Sequence, residues 1–420
     1  MSNAAQPLLI IIGYVWPEPN SSAAGYRMLS LIQLFLARQW RVIFASAAEP
    51  GLHRYPLNEL GVAEHIIALN DSSFDSWISE QAPHAVMFDR FMLEEQFGWR
   101  VEQACPDALR VLDMEDCHAL RDARQRCFNT GSPLTAAALN SELAQREIAA
   151  IYRCDLTLVI STFEMDLLQQ HFAVPERLLC YCPFLLEVEP KAESPRFDQR
   201  AHFIAIGNFR HAPNWQAVLW LKQDIWPLIR QQLPQAQLHV YGAYPPPKAT
   251  ALHNAKQGFL VKGWAEDAAV VMQQARVCLA PLSFGAGLKG KLLDAMRCGT
   301  PSVTTDIGAE GMMLADNGWA GFIANDSQTL ADAAVSLYQQ KAQWQQAQDV
   351  GYRIVQQKFT LAMHQNRIWQ HIEQVLQDVG QHRQLNFTGL MLRQHAYRST
   401  KYMGQWIEAK TRLAALLQPD

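Results

Sequence analysis

The stretch FGAGLKGKLLDAM, residues 284–296, places Gly285, Gly287 and Gly290 just before an apolar-periodic helix, with Lys289 and Lys291 at its first turn. A helix N-terminus carries about half a positive charge, so two cations there repel the backbone unless an anion lies between them. Glycines without Cβ let a loop approach such an anion closely and adopt positive φ. The free N–H groups of the helix start add oriented donors for phosphate. A second reading of the same residues is a simple turn, with Lys291 and Asp294 as a solvated surface pair. The spacing is neither GxxxxGK[ST] nor GxGxxG, and the stretch does not follow the first strand of its unit, which argues against an ATPase or a nicotinamide enzyme. Asp294, about one turn into the helix, shares a face with Lys291, where a carboxylate can accept hydrogen bonds from both hydroxyls of a ribose. A phosphate site followed by a ribose site describes a nucleoside diphosphate.

A second concentration of polar groups is DMEDCHALR, residues 113–121. Asp113, Glu115, Asp116, His118 and Arg121 follow the apolar run RVL, at a strand end where groups suited to proton transfer face a cleft. Here too a plainer role is open: Asp116 as a helix cap and His118 as an exposed side chain. The loop WPEPNSSAAGYR ends at Gly25-Tyr26-Arg27. Gly25 there would permit close approach of a donor and Arg27 would touch phosphate or an anionic acceptor, or the loop is a turn capped by Asn20 or Ser21.

These groups need elements to hold them. PLLIIIGYV, RVIFASA, AVMFDR, RVLDME and DLTLVIS read as strands separated by helical patterns. HFIAIGNF, AQLHVYGAY, GFLVKGW, ARVCLAPL and TPSVTTD form a second such series. Strands alternating with helices predict parallel sheets covered on both faces. The polar, proline-bearing stretch 187–202 separates the series as a linker, and beyond about residue 330 the chain is helical and glutamine-rich. The expected division is residues 1–190, residues 200–375, and a basic helical segment 376–420 that docks back on the first domain or lies on an anionic membrane.

Composition narrows the class. The 420 residues are 49% hydrophobic and 18% charged, enough for two cores, and the net charge of −4 argues against a nucleic-acid partner. No apolar run reaches the roughly 18–20 residues of a membrane span. Eight scattered cysteines lack CxxC or zinc spacing, which predicts reduced thiols and a cytoplasmic location. No metal-ligand pattern appears.

The ordered series FIAIGNFRHAPNWQAVLWLKQDIWPLI, LPQAQLHVYGAYPP, LVKGWAED, VCLAPLSFGAGLKGKLLDAMRCGTPSVTTDIGAEGM and AGFIANDSQTLADAAVSLY covers most of residues 202–340. It resembles group 1 (family 4) glycosyltransferases of the GT-B fold; the first half matches more loosely. The resemblance implies an α/β architecture of two Rossmann-like domains facing each other across a cleft. It implies donor phosphates at Gly285, Gly287, Leu288, Lys289, Gly290 and Lys291, the donor ribose at Asp294, and the base near Gly263 and Trp264. Arg210 and His211 fall where the family sets basic side chains against the diphosphate. Glu115–Asp116 falls on a His–Asp pair of the family, with His118 shortly after. One departure stands out: of the family's acidic pair, eight residues apart, the second member falls on Asp294 and the first on Ala286.

The implied activity is transfer of a sugar from a nucleoside diphosphate-sugar to a carbohydrate or lipid-linked acceptor, with retention and without a metal, in surface polysaccharide or glycoconjugate synthesis. The nucleotide-sugar is substrate, and no other cofactor is implied. The expected location is cytoplasmic, with the inner face of the membrane as the place of peripheral contact. Two alternatives stay open: another GT-B enzyme such as a nucleotide-sugar epimerase, or a non-catalytic nucleotide-sugar-binding protein, which Ala286 leaves standing.

Overall fold

The computed structural model describes residues 6–187 and 194–417, apart from the side chains of 395–397. The first sheet contains β1 (Leu8–Gly13), β2 (Arg41–Ser46), β3 (Ala63–Ile66), β4 (Ala85–Asp89), β5 (Leu109–Asp113), β6 (Leu156–Val159) and β7 (Leu179–Tyr181). Their order is β3-β2-β1-β4-β5-β6-β7, all parallel. The second contains β8 (Ala201–Ile206), β9 (Leu238–Tyr241), β10 (Phe259–Gly263), β11 (Ala275–Ala280), β12 (Ser302–Thr304) and β13 (Gly321–Ile323). Its order is β10-β9-β8-β11-β12-β13, again parallel.

The apolar runs are continuous because both faces of each sheet are covered. In β1, Ile10 and Ile12 enter one core with Val86 and Phe88, while Leu9 and Ile11 enter the opposite core with Met87. The same alternation divides Phe203 from Ile204 in β8. Three strands carry no such signal. β3 is a partly exposed edge strand of sequence AEHI, and β7 and β13 are three residues each. The helix around Pro213 and Pro227 runs from Ala212 to Gln232 through a wider π turn, Leu221–Ile225. That turn lies just ahead of Pro227, which cannot donate the usual backbone bond.

The chain returns to the first sheet earlier than residue 376. Leu186 donates to the Phe359 carbonyl and Leu361 donates to Leu186, each at 2.8 Å. The helix Leu361–Gln377 then buries Ile368, Trp369 and Ile372 in the first core. Trp369 meets Phe35 and Trp40 edge-on at 5.3 and 5.9 Å. Further along, Arg383 binds Asp155 at 2.7 and 2.8 Å and the Ala108 carbonyl at 2.8 Å. Of the stretch read as a linker, residues 188–193 lie outside the described residues.

Strand order reverses between β1 and β4 in the first sheet and between β8 and β11 in the second. In open parallel sheets ligands bind at the carboxyl ends of strands beside such reversals. Both reversals open on the same cleft. Among the described residues, no helix is long and apolar enough to cross a membrane.

Candidate active site

The cleft has a volume of about 1640 Å³ and is lined by the loops after β1, β4, β5, β8 and β11. The loop after β11 is the glycine stretch. Gly285 and Gly287 take φ of +154° and +64°, and the helix Gly290–Arg297 begins directly after Lys289. Gly287 lies against the first domain: a Cβ there would fall 2.7 Å from Cβ of Asp116. Gly290 is equally tight, its Cβ position 2.5 Å from that of Ala23. The glycines let the two halves of the site meet, whatever else they do.

Both lysines line the cleft, but they are held differently. Lys289 Nζ turns back on its own loop and donates to the Ala286 and Gly287 carbonyls at 3.0 and 2.5 Å. Lys291 Nζ donates to Asn214 Oδ1 at 2.6 Å. Burial pushes each ammonium down to about 8; Lys289 adds repulsion at Lys291, while Glu310 and Glu164 offset part of the burial cost at Lys289. A cation pair this easily discharged is poised to gain from an anion. Asp294 lies at the cleft wall, 3.5 Å from Arg297. Arg210 lines the cleft with its guanidinium 3.6 Å from the centre of the Tyr244 ring. Trp264 lines it too, stacked on His53 of the first domain at 4.2 Å, whereas Gly263 closes β10 with φ +78° and gives its carbonyl to Gly242.

Across the cleft, Glu115, Asp116, His118 and Arg121 all line the wall. Burial works to raise the Asp116 pKa, but the Arg121 guanidinium, His118 and His211 outweigh it and hold the carboxyl well below the usual range. Arg121 binds Asp116 Oδ2, while Oδ1 has no hydrogen-bond partner. Glu115 has the opposite fate: burial, with Asp113 and Asp89 close by, pushes it up to about 8 against the attraction of Arg90. An ionised and a neutral carboxyl side by side are what acid–base chemistry requires. Glu115 and Arg90 are also non-glycine residues with φ of +64° and +74° at the ends of adjacent strands. Such strain concentrates at functional sites.

Asp116 is not a helix cap. Glu147 takes that role for the helix His118–Thr130, accepting from the N–H groups of His118 and Ala119 at 3.0 and 2.8 Å. His118 Nδ1 lies 3.0 Å from the Asp116 carbonyl, and its ring meets Phe91 edge-on at 5.5 Å.

Three sequence expectations need correction. Arg27 and Asp113 do not line the cleft: they form a buried ion pair at 2.8 Å, 1% and 0% exposed, and Arg27 Nη1 also donates to the Cys182 carbonyl at 2.6 Å. Both sit beneath the floor of the cleft: Arg27 Nε and Nη2 donate to Asp113 Oδ1, and Asp113 Oδ2 has no hydrogen-bond partner among the described residues. Gly25 lines the cleft, but its missing side chain serves its own loop: a Cβ would lie 2.4 Å from the Glu18 backbone. Ser22, not Asn20 or Ser21, caps that helix, accepting from Gly25 N–H at 3.1 Å.

Several residues escaped the sequence reading. Asp89, 5% exposed, accepts from Tyr14 N–H at 3.0 Å, and Arg90 lies over the Tyr14 ring at 5.1 Å. AVMFDR ends in this pair, so the strand-end argument applied to residues 113–121 would have found it. Among the described residues, Asp89, Asp113 and Glu115 form a group whose carboxylate oxygens lie within 4.8 Å of one another, close enough to hold a cation. Arg27 on Asp113 and Arg90 at 3.6 Å from Asp89 already supply positive charge there. Two further groups join the domains and have no sequence signature. Glu164 Oε1 accepts from Cys117 N–H at 2.9 Å in the first domain and from Gly287 N–H at 2.7 Å in the second. Arg124 binds both oxygens of Glu310 at 2.9 and 2.6 Å and the Gly285 carbonyl at 2.8 Å.

Comparison with known proteins accords with this geometry. Residues 200–340, about a third of the chain, match the family model described as Glycosyl transferases group 1. No curated protein matches the chain. Solved structures do. A glycosyltransferase from Rickettsia africae ESF-5 superposes with a TM-score of 0.63 at 10% identity, over 89% of this chain and 99% of that one. Anabaena Alr3699/HepE in complex with UDP and glucose gives 0.64 at 12% identity, over 87% and 99%. Sucrose-phosphate synthase from Thermosynechococcus elongatus gives 0.62 at 15%, over 88% and 99%. At these identities the superpositions speak for the GT-B fold, and the family match covers the half that carries the glycine loop. Residues 200–340 thus match the group 1 glycosyltransferases, and the chain as a whole has the GT-B fold.

Proposed function

We propose that this glycosyltransferase moves a sugar, with retention and without a metal, from a nucleoside diphosphate-sugar to a carbohydrate or lipid-linked acceptor in surface polysaccharide or glycoconjugate synthesis, in the cytoplasm at the inner face of a membrane. The observation that carries it is the apposition of Gly287 and Asp116: a Cβ at Gly287 would fall 2.7 Å from that of Asp116. A loop suited to phosphate thus meets a polar cluster suited to proton transfer. Anabaena HepE was solved with UDP-glucose, which supports a nucleotide-sugar as donor here.

In this reading the diphosphate lies between Lys289, Lys291 and the N–H groups opening the helix Gly290–Arg297, with Arg210 and His211 beside it. Asp294 takes the ribose and Trp264 borders the base. The bond from the anomeric carbon to the diphosphate oxygen breaks, and its electrons leave with the diphosphate. Preorganised cations and backbone donors stabilise that charge, which gives the lysines the work a divalent metal does elsewhere. The acceptor oxygen bonds the anomeric carbon and loses its proton to the His118 imidazole, while Asp116 stays ionised and Glu115 neutral. Ala286 offers no carboxylate to the donor sugar. Asp116 Oδ1, without a hydrogen bond and beside the same loop, supplies one from across the cleft.

The test separates the walls. Asp294→Ala raises the donor KM, since ribose contacts exist in ground and transition states alike. Asp116→Asn and His118→Ala lower kcat and leave nucleotide affinity, measured by calorimetry, nearly intact. Full turnover in both of the latter variants would refute the assignment. Loss of activity in EDTA, restored by Mg²⁺ or Mn²⁺, would refute metal independence.

A further inference from the structure

The last helix, Phe387–Leu416, is 30 residues long, about 45 Å at the α-helical rise. One face lies on the first-domain helices Phe91–Ala104 and Glu142–Arg153. Gly389 is part of that face: a Cβ there would fall 2.2 Å from the Tyr152 carbonyl, to which Asn386 Nδ2 donates at 2.8 Å. Gly404 and Arg393 are buried on the same side.

At about 3.6 residues per turn, the opposite side carries Phe387, Met391, Tyr402, Trp406, Leu413 and Leu416 in one stripe. These six are between 45% and 83% exposed. Isolated exposed apolar side chains are ordinary, but two groups on one side of a helix, Phe387 with Met391 and then Tyr402 to Leu416, are not. Arg398, Lys401, Lys410 and Arg412 lie within or beside the stripe. The helix has one carboxylate, Glu408, and it is turned inward, 12% exposed, bound to Arg412 at 2.6 Å and to Ser72 N–H at 3.3 Å. The whole chain has a net charge of −4, so this face is basic against an acidic background.

We infer that this face is a docking surface for an anionic lipid bilayer, with the helix lying in the interface plane. Apolar side chains along one side, basic residues at its flanks and an opposite face fixed to the protein are the features of an interfacial helix. Charge complementarity selects the anionic bilayer. A second copy of the chain fits less well: a stripe about 45 Å by 10 Å offers roughly 450 Å² per protomer against the 800 Å² of a stable interface, and like charges would meet. The inference deepens the lipid-linked-acceptor reading above and rests on it for its purpose, because a docked enzyme meets such an acceptor within the membrane plane.

The experiment is co-sedimentation of the full chain with vesicles of phosphatidylcholine alone or mixed with phosphatidylglycerol. The expected result is binding at least about tenfold tighter to the anionic vesicles, falling with added salt. The double variant Trp406→Glu/Leu413→Glu loses that binding by about tenfold or more, while its affinity for UDP and GDP, measured in parallel without vesicles, matches wild type. Equal binding to both vesicle types, or undiminished binding by the double variant, would overturn the inference. So would a dimer in sedimentation that the double variant dissolves, which would make the face a self-interface. Intact nucleotide binding without vesicle binding overturns this inference alone; vesicle binding without binding of any nucleotide counts against the donor reading instead.

Discussion

Removing Arg124 should open the cleft. Its guanidinium, 10% exposed, meets both oxygens of Glu310, 13% exposed, and also holds the Gly285 carbonyl at 2.8 Å. Truncating one partner of a buried ion pair costs about 3–5 kcal/mol, because the other charge is left uncompensated. Opening the cleft lets Glu310 regain water, so the lower figure, about 3 kcal/mol, applies to the balance between closed and open forms. That is roughly a hundredfold shift toward the open form. Arg124→Ala is therefore expected to enlarge the radius of gyration in solution scattering and to lower kcat/KM by up to about a hundredfold. The reversed pair Arg124→Glu/Glu310→Arg should recover most of both. A wild-type scattering profile and wild-type kinetics in Arg124→Ala would refute the latch, and so would a reversed pair no better than either single variant.

Lys289→Ala and Lys291→Ala should each weaken nucleoside diphosphate binding by about 1.5–3 kcal/mol, the range for charged hydrogen bonds, with nucleoside binding changed less; calorimetry checks both. Burial holds these lysines at about 8, so they are charged below that pH, and diphosphate affinity should be full at neutrality and fall as pH rises through 8. Glu115, pushed by burial from 4.5 to about 8, binds more protons folded than unfolded, so its contribution to stability is full below the lower value and is lost toward the upper one. Glu115→Gln should flatten that decline in thermal melts taken on either side of the window. Arg27→Ala should cost about 3–5 kcal/mol of stability in urea titration, by stranding Asp113 in the interior.

Legibility followed the physics of each feature. Strands such as LLIIIG were readable because burial on both faces demands unbroken apolar runs. AEHI of β3 was not, because an edge strand owes its place to a neighbour's backbone and buries no regular face of its own. The glycine loop and the Glu115–His118 segment were readable because local sequence places them at strand ends. Arg27 and Asp113 looked equally functional at such positions, yet they pair with each other across 86 residues, a partnership no local pattern announces. Glu164, Arg124 and Glu310 escaped for the same reason: each acquires its role from a contact with the other domain. Helix Leu361–Gln377 carried a clear amphipathic pattern, but nothing in it told which of two cores its apolar face would enter.

The most direct test of the central claim is nucleotide release, with EDTA present and no acceptor, from a panel of UDP-, GDP- and dTDP-sugars. Wild type is compared with the double variant Lys289→Ala/Lys291→Ala. The account predicts that wild type liberates the nucleoside diphosphate from at least one donor without any metal, and that the double variant fails to do so while remaining folded. Tight donor binding with no release from any sugar nucleotide would make the chain a binding protein. Undiminished release by the double variant would show that the diphosphate lies away from the Gly285–Lys291 loop.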